Sequence, residues 1–351
     1  MSRYDRQITL PELGEEGQRR LAHGSALIVG AGGLGSPASI YLTAAGVGRI
    51  GLVDFDEVDE TNLHRQVLYG TQDVGRRKLD AAAARLHDLN PEVTVTPHAG
   101  ALTSDNALQI AAAYDIVIDG TDNFPTRYLV GDVCTILHKP NVYGSVFRFD
   151  GQVSVFDADR GPCYRCLYPD PPPPNLVPSC AVGGVLGVLP GIIGTIQATE
   201  AIKLLTGIGE PLIGRLLLVD ALGMHFREVR LPAQHERHER ITQLIDYEGF
   251  CNPAMELELT PQQLIERLAE VVLIDVREPH EFTAGHIDGA RNLPLGRVPL
   301  ELDTIPSDCD VVLYCAMGGR SGRALEILRS AGYDRTAHLK GGYIAWVRSA
   351  P

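Results

Sequence analysis

The stretch "ALIVGAGGLG" (residues 26–35) decides the fold of the first half of this 351-residue chain. A short β-rich run ends at Gly30 and passes directly into a G-x-G-x-x-G pattern formed by Gly30, Gly32 and Gly35. Glycines at these positions permit a tight turn after a strand and bring the amino end of the next helix close to a phosphate. The stretch therefore predicts a nucleotide-binding turn of the Rossmann type.

The strand–helix rhythm continues beyond this turn. Further β-rich runs are "RIGLVD" (49–54), "VTVTP" (93–97) and "DIVIDG" (115–120), with helical patterns such as "KLDAAAARLHDLNP" between them. This alternation predicts an α/β fold, a doubly wound sheet of parallel strands joined by crossover helices. "NVYGSVFRFDGQVSVF" (141–156) predicts two more strands joined through a Phe-Asp-Gly turn.

A second β/α pattern follows a polar stretch over residues 232–258, where regular patterning is lost. It comprises "VVLIDVRE" and "DVVLYC" as strands and "SGRALEILRSAG" as a helix. We predict a first domain over residues 1–250, a linker at 251–257 and a small α/β domain over 258–351. The uncharged stretch 171–199 approaches a membrane span in length, but its glycines and Pro190 predict a buried loop and helix instead.

Composition excludes some classes of partner and compartment. The formal net charge of −13 argues against a nucleic-acid partner, which needs a basic surface. Seven irregularly spaced cysteines do not form the pattern of a secreted disulfide framework, and the charged start "MSRYDRQITL" lacks the apolar core of a signal peptide. We therefore expect a protein of the reducing cytosol.

The glycine pattern alone fits an NAD-dependent dehydrogenase as well as an ATP-binding enzyme. Polar residues at strand ends and helix starts favour ATP: they are Asp54, Asn62, Arg65, Lys78, Asp122 and Asn123. Asp54 ends a strand, where its carboxylate is placed to accept hydrogen bonds from a ribose. Arginine and lysine suit a triphosphate, and Asp122 suits Mg²⁺.

Six motifs occur in a recognisable order: "RYDRQI", "GAGGLGSP", "LVDFDEVDETNLHRQ", "GRRKLDAA", "DGTDNFPTRY" and "CYRC". Over residues 1 to about 250 the chain resembles the ubiquitin-activating-enzyme-like adenylyltransferases, the family of MoeB and ThiF. In that family, ATP adenylates the C-terminal glycine of a small ubiquitin-like sulfur carrier ending in Gly-Gly.

The resemblance also implies roles for individual residues. It places Gly33 in the phosphate loop, Asp54 on the ribose, Asn62, Arg65 and Lys78 on the phosphates, and Asp122 on Mg²⁺ with Asn123 beside it. Arg6 would reach the phosphates from the other subunit, which implies a homodimer. Cations and a metal fit this reaction because a carboxylate attacking a phosphate brings negative charges together.

A second candidate site is Cys315, which ends a predicted strand and precedes a glycine-rich loop and a helix. Backbone N–H groups of the loop, the helix dipole and Arg320 predict a lowered thiol pKa. "LIDVREPHEFTAGHIDGARNLPL" and "LKGGYIAWV" resemble the rhodanese sulfurtransferases, which implies that Cys315 carries a persulfide taken from a sulfur donor. A Cdc25-like phosphatase uses a similar loop, but that loop is one residue longer.

The pair Cys163 and Cys166 suits one edge of a tetrahedral zinc site or a redox pair. The resembling family carries a second C-x-x-C, whereas this chain has "HERHER", which offers His235 and His238 at the same gap. Zinc held with these histidines, no metal, and a redox pair or a further ligand such as Cys251 all stay open.

Cys180 follows a run of four prolines and has no ligand-like spacing. In rhodanese-fused members of the family, the cysteine at this place forms a covalent intermediate or resolves an acyl disulfide to release the thiocarboxylate.

The resulting prediction for the whole chain is adenylation of a sulfur carrier followed by sulfur transfer to it. Alternatives are an adenylyltransferase with a vestigial or regulatory rhodanese domain, a scaffold that only binds a ubiquitin-like protein, and a dehydrogenase. Molybdopterin, thiamine, thiolated tRNA and cysteine synthesis all use this chemistry, so the pathway stays open.

Overall fold

The computed structural model describes residues 2–172, 184–251 and 257–349. Within these ranges the chain forms two compact units. The first contains residues 2–171 and 184–250, and the second contains residues 257–349.

The first unit is built on an eight-stranded sheet with the order β3-β2-β1-β4-β5-β6-β7-β8. The strands from β3 to β5 in this order are parallel, and β5 to β8 continue the sheet in antiparallel pairs. The strands are β1 (Ser25–Val29), β2 (Arg49–Asp54), β3 (Thr94–Ala99), β4 (Ile116–Asp119), β5 (Asn141–Phe147), β6 (Asp150–Phe156), β7 (Arg215–Asp220) and β8 (His225–Arg230). All five residues of β1 are buried, because helices cover both faces of a central parallel strand.

Helices connect and cover these strands. They are α1 (Asp5–Ile8), α2 (Gly14–His23), α3 (Gly35–Ala45), α4 (Lys78–Leu89), α5 (Ala107–Ala112), α6 (Phe124–Ile136), α7 (Tyr164–Leu167), α8 (Val188–Thr206), α9 (His235–Glu239) and α10 (Tyr247–Cys251). The last two correct the sequence analysis, which predicts no regular structure in this part of the chain. Two short 3-10 helices, Glu60–Asn62 and Thr71–Asp73, complete the unit.

The turn between β5 and β6 also differs from the prediction. Asp150 pairs with Phe147, and Gly151 pairs with Val146, so both belong to the ladder. The chain reverses at Arg148, whose φ of 52° is left-handed.

Helix α8 is long and apolar enough, by length and composition alone, to cross a membrane, and it is the one such helix among the described residues. It packs on α3, β5 and β6, and 44% of its apolar window is buried. The buried Gln197 donates to the carbonyl oxygens of Asp119 and Val142 at 2.8 and 2.9 Å. These hydrogen bonds connect the helix to the carboxyl end of β4 and to β5.

The second unit has a parallel five-stranded sheet with the order β11-β10-β12-β13-β9. Its strands are β9 (Glu258–Leu259), β10 (Val272–Asp275), β11 (Arg291–Asn292), β12 (Val311–Tyr314) and β13 (Thr336–Leu339). Its helices are α11 (Pro261–Arg267), α12 (Pro279–Ala284), α13 (Gly319–Ser330) and α14 (Gly342–Ser349), with 3-10 turns at Leu295–Leu300 and Leu302–Thr304. Apolar clusters on both faces of this sheet form its core.

Candidate active sites

The glycine turn lies between β1 and α3. Gly30 has a φ of 89°, a left-handed conformation that favours glycine. A Cβ atom on Gly35 would lie 1.9 Å from the carbonyl oxygen of Gly30, so α3 can approach the strand this closely only with glycine there. The amide of Ala31 donates to Asp54 Oδ2 at 2.8 Å, which fixes the predicted ribose-binding carboxylate to the turn.

A cavity of about 250 Å³ opens at the carboxyl ends of β1, β2 and β4. This edge is where doubly wound sheets bind ligands. Nine of the ten residues predicted to bind the nucleotide line it: Gly30, Gly32, Gly33, Asp54, Asn62, Arg65, Lys78, Asp122 and Asn123. The tenth, Gly35, serves the close packing of α3 instead.

The two predicted phosphate-binding cations are held differently. Lys78, the first residue of α4, is buried, and its Nζ lies 2.8 Å from Asp56 Oδ2. Arg65 donates to the carbonyl oxygen of Thr61 at 3.0 Å and lies 2.9 Å from His64 Nε2. Both therefore bring positive charge to the cavity wall from fixed positions.

The loop after β4 presents the two remaining polar residues. Asp122 is exposed at the cavity, where its carboxylate is accessible to a cation. Asn123 caps α6, because its Oδ1 accepts the amide hydrogen of Thr126 at 2.9 Å. The cap orders the loop that carries Asp122.

Arg127 also lines the cavity, and the sequence analysis assigns it no role. It is only 7% exposed, and it donates to the carbonyl oxygen of Thr121 at 3.1 Å. Its Nε has no partner among the described residues, and neither has Oδ2 of the buried Asp119. Burial opposes its charge, but nearby tyrosines and the carboxylates of Asp119 and Asp122 raise the pKa of Arg127, which keeps it cationic. The only signal in the sequence is its place four residues, about one helical turn, after Asn123.

Arg6 does not line this cavity. It lies exposed on the short helix α1. Its predicted contact with the phosphates requires a second copy of the chain and stays a prediction.

The sequence-predicted cysteine pair meets one of the two histidines. Cys163 precedes α7 and Cys166 lies within it, and their Sγ atoms are 3.7 Å apart. His238 of α9 places Nε2 3.0 Å from Cys166 Sγ. The three ligand atoms lie within 4.8 Å of one another. His235 begins α9, but its side chain lies outside what the structure describes.

The chemistry of this cluster depends on the charge that it holds. Burial, followed by the neighbouring Cys166, raises the pKa of Cys163 to about 12. The Cys163 thiolate therefore needs a positive charge beside it. A soft divalent cation supplies such a charge, because thiolate and imidazole are its preferred ligands.

Cys315 follows β12 directly and is 2% exposed. The amide of Gly318 donates to its Sγ at 3.1 Å, and the Ser321 hydroxyl lies 3.6 Å from the same atom. Burial works against the thiolate, but hydrogen bonds from the backbone and side chain of Ser321 and from the amides of Met317 and Gly318 outweigh it. The pKa of Cys315 consequently lies below its ordinary value, which suits a nucleophile.

Arg320 makes its hydrogen bonds to a residue that the sequence analysis does not name. Its guanidinium makes two hydrogen bonds to Glu281, at 2.6 and 2.7 Å. These bonds to Glu281 first, and the nearby Cys315 sulfur as well, raise the pKa of Arg320, so its charge also acts on Cys315 as predicted. These bonds hold the pKa of Glu281 at about 2. Arg320 therefore anchors the cysteine loop to α12, and the backbone amides and Ser321 supply the hydrogen bonds to the Cys315 sulfur.

The other predicted catalytic cysteine, Cys180, lies outside the described residues.

Comparison with known proteins agrees with this geometry. The ThiF family profile matches residues 4–240, and the rhodanese-like domain profile matches residues 260–349. The "Probable adenylyltransferase/sulfurtransferase MoeZ" of Mycobacterium tuberculosis is 46% identical, over 99% of this chain and 93% of its own length. The sulfur carrier protein adenylyltransferase of Thermus thermophilus is 54% identical, over 72% of this chain and 96% of its own length.

Among solved structures, MccB of E. coli with ATP superposes with a TM-score of 0.59 at 21% identity, covering 67% of this chain and 73% of MccB. At this identity the likeness shows the fold alone. The sequence relatives, at much higher identity, also show the family and the type of enzyme. The chain belongs to the ThiF family, carries a rhodanese-like domain at its C-terminal end, and is an enzyme of the adenylyltransferase and sulfurtransferase types.

Proposed function

We propose that this enzyme uses ATP to adenylate the C-terminal glycine of a ubiquitin-like sulfur carrier protein, and that Cys315 then delivers sulfur to the activated tail. The observation that carries the proposal is the cavity that Arg65, Lys78 and Asp122 line beside the glycine turn. The Thermus relative, named a sulfur carrier protein adenylyltransferase, supports this class of substrate.

In the first step a carboxylate oxygen of the tail attacks the α-phosphorus of ATP. The bond from that phosphorus to the bridging oxygen breaks, and pyrophosphate leaves. Negative charge gathers on the phosphates, so Arg65 and Lys78 stabilise it from positions that are fixed before the substrate binds. The glycine turn and the amino end of α3 supply backbone N–H groups to the same charge.

Asp122 fits the Mg²⁺ that such reactions use. It is an exposed carboxylate at the cavity, and Mg²⁺ prefers one or two carboxylates together with phosphate oxygens. When bound, the metal would neutralise phosphate charge. The chain's own contribution is to hold Asp122 on the loop that Asn123 caps.

In the second step Cys315 carries a persulfide received from a persulfide sulfur donor. Its terminal sulfur attacks the carbonyl carbon of the acyl-adenylate, AMP leaves, and an acyl disulfide forms on Cys315. We propose that the thiolate of Cys180 attacks the Cys315 sulfur and releases the carrier thiocarboxylate. We propose that a cellular thiol then reduces the disulfide left between the two cysteines, a step that the reducing cytosol would support.

We also propose that Cys163, Cys166 and His238 hold zinc, with His235 as the fourth ligand. Thiolates at about 2.3 Å from a tetrahedral zinc lie about 3.8 Å apart, close to the 3.7 Å between these Sγ atoms. The 3.0 Å between Cys166 and His238 is shorter than such a site requires, so zinc would part these two side chains. The role is structural, because the cluster joins α7 to α9.

A carrier-dependent ATP–pyrophosphate exchange assay tests the adenylation half. Asp122→Ala should abolish exchange, whereas Cys315→Ala should leave it intact. With a persulfide donor, the intact mass of the carrier should show sulfur replacing oxygen at the tail, and Cys315→Ala should remove this product. Cys309→Ala, in the same domain, is the matched control. Normal thiocarboxylate yield from Cys315→Ala would refute the sulfur-relay assignment.

Mixing variants tests the proposed homodimer. Arg6→Ala and Asp122→Ala chains should each be inactive alone, and their mixture should recover part of the exchange activity. Recovery is expected because a mixed dimer contains one site with both residues intact. Full activity of Arg6→Ala by itself would refute the role given to Arg6.

A further inference from the structure

His338 of β13 stands next to the cysteine loop, and no step above uses it. Its Nδ1 lies 3.4 Å from the hydroxyl oxygen of Ser321, and that hydroxyl lies 3.6 Å from Cys315 Sγ. Its Cε1 would lie 4.0 Å from a Cβ added to Gly318, so the ring borders the loop itself. A continuous path of polar atoms therefore runs from the imidazole to the nucleophilic sulfur.

The other ring nitrogen faces a carboxylate. His338 Nε2 lies 3.5 Å from Oε1 of Glu258, which is the register partner of His338 on the neighbouring strand β9. The histidine side chain is 14% exposed, whereas Glu258 is 48% exposed. An imidazolium here would be shielded from water and would keep one charged partner.

Among the described residues, the groups near this imidazole are Glu258 from β9 and Cys315 and Ser321 from the loop and α13. Lys340, which follows β13 directly, places its Nζ 3.4 Å from Glu258 Oε2. The guanidinium of Arg320 on α13 pairs with Glu281. Glu258 therefore lies between Lys340 and His338, and the Cys315 sulfur lies on the other side of the imidazole.

We propose that His338 is a positioning residue that controls the proton on Cys315 through the hydroxyl of Ser321. In the structure the Ser321 hydroxyl donates to the Gly318 carbonyl oxygen at 3.0 Å. For the relay, neutral His338 directs Nε2–H to Glu258, and the hydroxyl rotates from that carbonyl to donate to Nδ1. The Cys315 proton then passes to Ser321 Oγ while the Ser321 proton passes to Nδ1. The products are a thiolate, an intact hydroxyl that donates to it, and an imidazolium paired with Glu258.

This inference rests on the proposed role of Cys315 as the sulfur-carrying residue. It adds a mechanism for the thiolate to form near neutral pH in a site from which water is largely excluded. In the product of the relay, the imidazolium stabilises the thiolate through one hydroxyl.

The test is the rate of alkylation of Cys315 by iodoacetamide in the full-length chain, followed at the Cys315 peptide by mass spectrometry between pH 6 and pH 9. His338→Ala should slow alkylation about tenfold at pH 6, because a charge-assisted hydrogen bond to the thiolate is lost. The rates should converge by pH 9, where the thiolate forms without help. Loss of a merely structural contact would change the rate at every pH.

Two further substitutions test whether proton uptake by the imidazole matters. Asparagine places an amide near the position of Nδ1 and glutamine reaches the position of Nε2, but neither amide takes up a proton near pH 6. His338→Asn and His338→Gln should therefore both behave like His338→Ala, and a wild-type rate from either variant at pH 6 would overturn the relay. His280→Gln, at an exposed position of the same domain, is the matched control and should match the wild type. Ser321→Ala keeps its backbone amide and should reproduce the His338→Ala profile.

Sulfur transfer from thiosulfate to cyanide separates the two ideas. If Cys315→Ser retains this activity, the role proposed for Cys315 is wrong. If Cys315→Ser abolishes it but the pH profiles of His338→Ala and Ser321→Ala coincide with that of the wild type, only the relay is wrong. An equal loss at all pH values in both variants would likewise overturn the relay.

Discussion

Arg165, between Cys163 and Cys166, makes a largely buried ion pair in the first unit. Its guanidinium donates to both carboxylate oxygens of Asp132 on α6, at 2.8 Å each. The Tyr247 hydroxyl donates to the same carboxylate at 2.8 Å. The guanidinium also lies 5.0 Å from the Tyr128 ring centroid and 4.7 Å from that of Phe250. We predict that Arg165→Met destabilises the first unit.

The magnitude follows from burial. The Asp132 side chain is 3% exposed and that of Arg165 is 16% exposed. Removing one partner of a buried pair costs about 3–5 kcal/mol, because the other charge stays unpaired in a poor solvent. Methionine keeps part of the packing against the rings, so we expect the lower end, about 3 kcal/mol. In a unit of this size that lowers Tm by roughly 6–12 °C.

Urea unfolding of the full-length chain measures this effect. The chain has one tryptophan, Trp346, in the second unit, so tryptophan fluorescence follows that unit while circular dichroism is dominated by the first. We expect the dichroism transition to move and the fluorescence transition to stay. Arg85→Met is the matched control, because its pair with Asp88 is exposed at 53% and 80%, and such pairs contribute about 0.5 kcal/mol or less. A change for Arg165→Met no larger than that of the control would refute the reasoning.

Three further predictions concern the other sites. His238→Ala should lower the zinc content of the purified protein, measured by elemental analysis, and equal content in wild type and variant would contradict the proposed site. Arg127→Lys keeps the charge but loses the planar guanidinium, so ATP–pyrophosphate exchange should fall at least tenfold in kcat/KM, whereas the exposed Arg85→Lys should not change it. Hydrogen bonds from Arg320 hold the pKa of Glu281 at about 2, below its ordinary value of 4.5. Their stabilisation is therefore fully present above pH 4.5 and is lost as pH falls toward 2, so Glu281→Gln should cost about 1 kcal/mol at pH 7. That difference should shrink in acid, and a difference independent of pH would show that the charge does not matter.

Much of the fold around the glycine turn could be predicted from the sequence, because local constraints determine it. The turn over 26–35 needs glycine for reasons confined to a few backbone atoms, a left-handed φ at Gly30 and a close approach at Gly35. Asp54 ends β2 as expected, and the strands and helices around it follow from hydrophobic periodicity. In a parallel sheet all carboxyl ends meet at one edge, so placing residues after strands also placed nine of them around one cavity.

The tertiary structure decided which side chains meet. His238 lies 72 residues from Cys166, Arg320 pairs with Glu281 across 39 residues, and His338 reaches Ser321 across 17. Neither helix periodicity nor a turn motif specifies such contacts, because they depend on which strands pair and which helices pack together. Arg127 is the clearest case: its spacing suggests an ordinary surface arginine, and only burial against Asp119 and Tyr143 makes it a charge held at the nucleotide cavity.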